Sequence, residues 1–108
     1  MGKGEYLGEL ELLVMATLVR LGADAYGMRI RRDIEERTGR TVSIGNVYAA
    51  LRRLDAKGYV GTRKGAPTAE RGGRAKRYYH LESEGAEALD RSRNLFMTVL
   101  ADLPESLV

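Results

Sequence analysis

The chain predicts a mainly α-helical domain carrying one small β-hairpin. Three observations lead there: stretches whose apolar residues recur at helical spacing, two short runs rich in aromatic and β-branched residues, and a basic stretch bearing Gly and Pro between those runs. Three helices followed by a basic hairpin make a winged helix-turn-helix, here extended by a last helix. With 108 residues there is room for a single modest core. We divide the chain into a winged-helix part, residues 1–82 including the N-terminal helix, and a C-terminal dimerisation helix, residues 83–108, built as one structural unit.

Leu7 to Leu21 reads as the first helix. Its apolar residues, among them Leu7, Leu12, Met15 and Val19, are too many for one stripe, so it must be covered on more than one side. A small domain has few elements to do this, which hints at a partner subunit. Gly22 is placed to end the helix. Asp24 is the expected N-cap of the second helix, where Tyr26, Ile30 and Ile34 repeat every four residues as an inward stripe, and the helix ends near Thr38-Gly39.

Ser43 is the expected N-cap of the third helix, Ser43 to Lys57, with Ile44, Val47, Leu51 and Leu54 on one face and Gly58 closing it. Tyr59 to Arg63 and Lys76 to Leu81 have strand composition. The last helix begins at Ser83, and Leu89, Phe96 and Leu103 are spaced by sevens with Val99 and Leu100 between, a pattern suited to lying along another helix.

Charge is distributed unevenly. Residues 1–28 carry a net −2, 29–58 carry +4, 59–81 carry +5 and 82–108 carry −4, for an overall +3. The centre therefore suits phosphate, and the acidic, apolar ends suit protein. The absence of Cys removes disulfides, thiolate chemistry and cysteine zinc sites, consistent with a reducing compartment, and the cytoplasm is the expected location. The longest apolar run, Leu12 to Leu18, is far below the roughly 20 residues of a membrane span, and no basic segment precedes it as a signal peptide would require. His80 is the only histidine and has no metal-site companions; no nucleophile, base and orienting group converge. An enzyme, a cofactor and a metal site are not expected.

The third helix carries the sharpest functional signal. Opposite its apolar stripe lie Gly45, Asn46, Ala49, Arg52 and Arg53. The small residues let the backbone approach a surface, Asn46 has the chemistry to bond adenine, and Arg52 or Arg53 to contact guanine or phosphate. Ser43 sits at the leading end, and the Tyr48 ring flanks the stripe with its hydroxyl directed toward phosphate or water. In the hairpin, Arg63, Lys64, Arg71, Arg74, Lys76 and Arg77 stand against one acid, Glu70, which points to phosphate or minor-groove contact. A winged-helix module whose basic face meets an acidic protein is the alternative reading.

Tyr26-Gly27, then Gly45 to Leu54 with Lys57-Gly58-Tyr59-Val60, then Arg74 to Leu81 and Gly85, together resemble the PadR family of bacterial transcriptional regulators over nearly the whole chain. That resemblance implies a winged helix in which the first and last helices form a homodimer, repression of nearby genes, and often release by a small molecule. The expected dimer contacts are Leu7, Leu12, Met15, Val19, Leu89, Phe96, Val99, Leu100 and Leu103, and the partner is a pseudo-palindromic duplex. Two departures stand out. Glu82 replaces the family's usual Thr before the last helix, so the cap is expected to move to Ser83. The chain has no Trp to sandwich a flat ligand. Met15 and Phe96 are candidates to line a cavity for a small hydrophobic effector, although core or interface packing explains them more simply.

Overall fold

The computed structural model describes residues 7–65 and 76–108. Helix α1 (Glu9–Leu21) leads through a single 3-10 turn, Gly22–Asp24, to α2 (Gly27–Thr38) and α3 (Ile44–Ala56). Strands β1 (Val60–Lys64) and β2 (Arg77–Leu81) pair antiparallel, with Val60 opposite Leu81 and Lys64 opposite Arg77, and α4 (Ser83–Leu100) follows. The chain is a winged helix: three packed helices and a two-stranded wing, with α4 added.

At the centre lies α1, which packs against α2, α3, β2 and α4. Val14, Met15 and Leu18 are buried on it, in one core with Ile30, Ile34, Val47, Leu51 and Leu54. Most of the apolar excess of α1 is thus satisfied inside one chain, contrary to the expectation that it needs a second subunit. Leu7 and Met15, expected at a dimer contact, are 8% and 0% exposed and belong to this core. Val19, 61% exposed, remains outside it.

Two polar clusters bind α1 to its neighbours. On α2, Asp33 accepts from Arg20 and lies 3.3 Å from the Thr17 hydroxyl, whose one proton has Leu13 O as its closer acceptor at 2.8 Å. At the other end, the buried carboxylate of Glu11 accepts from the Gly8 N–H at 2.9 Å and from Lys57 Nζ at 3.0 and 3.1 Å, with Arg53 Nε at 3.4 Å. Burial pushes both carboxyls up in pKa, but these donors and charges outweigh it, with Arg37 adding its charge at Asp33. Both end below the usual carboxylate range.

Helix ends follow local chemistry where no distant strand intervenes. Gly22 and Gly39 end α1 and α2 at φ of 59° and 74°. Ser43 caps α3, its Oγ accepting from the Asn46 N–H at 3.0 Å. α2, by contrast, begins at Gly27 with Tyr26 at the cap position, not at Asp24. Ala25 and Tyr26 are held extended by the wing, since Tyr79 N–H donates to Ala25 O at 2.8 Å and Tyr26 bridges to Tyr78, so the helix starts after them. Likewise the N-cap of α4 is Glu82 rather than Ser83, because the Glu82 N–H is fixed on Tyr59 O at 2.9 Å. Asp102, at φ 68°, follows the end of α4, so Leu103 lies outside the helix and the expected heptad runs only from Leu89 to Phe96.

Close approach to backbone demands glycine at position 85, and Gly27 lies against a side chain that can move. A Cβ on Gly85 would strike the backbone carbonyl of Tyr59, and one on Gly27 would strike the ring and hydroxyl of Tyr48. A backbone carbonyl in the hairpin cannot yield, whereas the Tyr48 ring, 37% exposed, can swing out. Gly85→Ala is expected to cost about 1–3 kcal/mol in urea unfolding, and Gly27→Ala less.

The two depressed carboxyls give a second expectation. A folded-state pKa below the unfolded one adds stability above the unfolded value, about 4, that is lost as pH falls through the folded value. Melting temperature should therefore drop between pH 5 and 3, and this drop should be shallower in Glu11→Gln and Asp33→Asn.

Candidate nucleic-acid interface

Burial fixes the rotation of α3. Val47, Ala50, Leu51 and Leu54 are each at most 1% exposed, and the opposite side carries exposed Gly45, Asn46, Arg52 and Arg53 with half-buried Ala49. Asn46, Ala49 and Arg53, spaced by three and four, form one strip along this side. Ser43, also exposed, is occupied as the cap, so its hydroxyl organises the helix start and is less free to read a base. Tyr48 leans over Gly27, which ties α3 to the beginning of α2.

The wing root is built on aromatic rings. Tyr26 and Tyr78 meet edge to face at 5.7 Å between centroids. The Arg63 guanidinium lies 4.5 Å from the Tyr78 centroid and donates to Ala23 O at 2.9 Å, while the Lys76 ammonium lies 4.1 Å from the Tyr26 centroid. Cation–π contacts of this kind are worth roughly 0.5–1 kcal/mol at exposed sites. Arg63 and Lys76 thus brace the wing against the α1–α2 connection, a role that sequence reasoning does not assign. Lys64 and Arg77 face each other across the strands and are exposed. Arg71 and Arg74 lie outside the described residues.

Tyr79 of the wing packs, half-buried, against the core. Burial pushes its hydroxyl up in pKa, Tyr48 and Asp55 act in the same direction, and Arg77 and Arg52 oppose them. Arg52 of α3 and Arg77 of the wing both act electrostatically on this one tyrosine. Tyr26, Tyr79 and Glu11 are the residues missed in sequence. Alternation in β2, with Arg77, Tyr79 and Leu81 on one face, carries a signal for Tyr79; nothing local marks Glu11.

Away from this basic side, α1 and α4 flank an open apolar groove of about 940 Å³. Leu12, Val19, Leu89, Phe96 and Leu100 line it. Met15 does not, which removes it from the candidate effector residues; Phe96 remains. Val99 and Leu103, 62% and 49% exposed, lie outside the groove lining. Among the described residues no helix is long and apolar enough to cross a membrane, and no group of acidic or imidazole side chains could hold a metal.

Comparison with known proteins agrees with this architecture. The chain superposes on a PadR family transcription regulator from Clostridium difficile R20291 with a TM-score of 0.72 and 23% identity, covering 85% of this chain and 91% of that one. A PadR-like transcriptional regulator of Bacillus cereus gives 0.67 and 21% identity over 83% and 82% of the two chains. RosR of H. salinarum gives 0.67 and 23% identity over 92% and 82%. No curated protein matches the sequence. The sequence model of the transcriptional regulator PadR-like family matches residues 14–91, which run from the middle of α1 to the middle of α4. The chain belongs to the PadR-like family of transcriptional regulators.

Proposed function

We propose that this chain is a sequence-specific DNA-binding repressor that acts as a homodimer. The observation carrying this reading is the solvent side of α3. Gly45 and Ala49 leave the backbone approachable, Asn46 and Arg52 supply base-reading or phosphate-binding groups, and a side-chain cap holds the leading end. In this reading the start of α3 enters the major groove, and Lys64, Arg71, Arg74 and Arg77 of the wing neutralise phosphate. Arg63 and Lys76 reach DNA in this reading from their aromatic seats at the wing root.

The homodimer rests on α4. Leu95, Phe96, Met97, Val99 and Leu100 are 39–65% exposed. An exposed apolar helix end is what a second copy would cover. Two-fold pairing would present two α3 helices to half-sites separated by about 10 bp or a multiple. The apolar groove beside Phe96 is where a small hydrophobic effector would act, by favouring one arrangement of the two copies.

Three measurements bear on this reading. Asn46→Ala should change sequence preference and cost about 1–3 kcal/mol on the preferred duplex, measured by titration against single-base variants. Lys64→Ala with Arg77→Ala should weaken binding to every duplex and flatten the salt dependence by about 0.9 for each phosphate no longer neutralised. An unchanged slope would remove the wing root from the interface. Phe96→Glu should convert a particle of twice the chain mass to the 12.0 kDa monomer in light scattering. A wild type that is monomeric and binds no duplex above the non-specific level would favour the protein-interaction module instead.

A further inference from the structure

The Glu11 carboxylate belongs to α1, yet its side-chain partners come from the last turn and the end of α3, 42 and 46 residues later. Glu11 is 5% exposed and its two oxygens are taken up by the Gly8 N–H and Lys57 Nζ. Arg53 meets it differently. Only Nε of Arg53 approaches the carboxylate, at 3.4 Å, and the side chain is still 53% exposed. No other side-chain hydrogen bond of Arg53 occurs among the described residues.

A guanidinium is a planar fork, so contact through Nε leaves Nη1 and Nη2 to make a paired contact elsewhere. Lys57, bonded to both oxygens at 3.0 and 3.1 Å, is the closer cation of Glu11, and Arg53, at 3.4 Å through Nε, keeps its Nη groups for a second contact. Arg53 also continues the strip that begins with Asn46 and Ala49. We propose that Glu11 is a positioning residue for DNA recognition: anchored in α1, it steadies the Arg53 guanidinium so that its Nη pair meets a guanine edge in line with Asn46. The idea rests on the DNA-reading function of α3 proposed above and adds to it a residue on a different helix.

The arrangement has a directional consequence. Removing the Glu11 charge adds to the net positive charge and frees Lys57, which by itself raises affinity for any duplex. Losing the orientation of Arg53 acts oppositely, and only on the preferred duplex. The ratio of affinities for the preferred duplex and a shuffled one of the same composition separates the two effects.

The test is a double-mutant cycle on that ratio with wild type, Glu11→Gln, Arg53→Ala and the double variant, each checked for folded content by circular dichroism. Gln keeps the size of the side chain and an oxygen for the Gly8 N–H. Arg53→Ala is expected to reduce the ratio about 10- to 100-fold, the range of one good paired base contact. Glu11→Gln should reduce it several-fold, about 3- to 10-fold, while affinity for the shuffled duplex holds or rises. In the Arg53→Ala background Glu11→Gln should leave the ratio unchanged. An equal loss in both backgrounds would show that Glu11 only braces α1 against α3, and no loss in either would show that Arg53 needs no orientation; both overturn the inference alone. A wild type without any preferred duplex would overturn the DNA-reading function as well.

Discussion

Burial of Val47, Ala50, Leu51 and Leu54 along one side of α3 is the constraint from which the rest of the interface follows. Each large apolar side chain sealed in this way is worth roughly 1.5–3 kcal/mol relative to exposure. Turning α3 by one residue would expose part of that seam, so the packing fixes which residues point outward. Gly45, Asn46 and Arg52 are solvent-facing because the core leaves them no other place. Recognition chemistry is therefore set by hydrophobic packing before any nucleic acid is present.

α1 gives that seam something to pack on, and its polar residues hold the assembly in register. Thr17, Arg20 and Asp33 bind α1 to α2, while Glu11 binds it to the end of α3. The wing is held by different physics: Tyr78 carries Arg63 and Tyr26 carries Lys76 on their faces, and Tyr79 packs from the wing against the core. The apolar groove between α1 and α4 lies on elements that touch the same core, so a ligand or partner there would act on α1 and through it on α3.

Much of this is legible in the sequence because it is local. The i, i+3, i+7 spacing in α3 and the Ser43 cap need only a few consecutive residues, and both agree with the structure. The outward set at Gly45, Asn46, Ala49, Arg52 and Arg53 follows from the same wheel. Sequence reasoning fails where a distant strand intervenes. Asp24 has the chemistry of an N-cap, but pairing of Ala25 and Tyr26 with the wing displaces the start of α2. Met15 reads as an interface residue because the four neighbours of α1 cannot be counted from one helix. Glu11 is, in sequence, only a charge beside an apolar run; its partners lie 42 and 46 residues away, beyond the reach of any local pattern.

The central claim is that two copies of the exposed α3 face read a symmetric duplex. Selection of bound sequences by the full chain from a pool of random duplexes tests it most directly, since one experiment reports preference, symmetry and spacing. The account predicts enrichment of an inverted repeat whose half-sites lie about 10 bp, or a multiple of that, apart centre to centre. Recovery of an unenriched pool, or of a single asymmetric site bound by one copy, would contradict it.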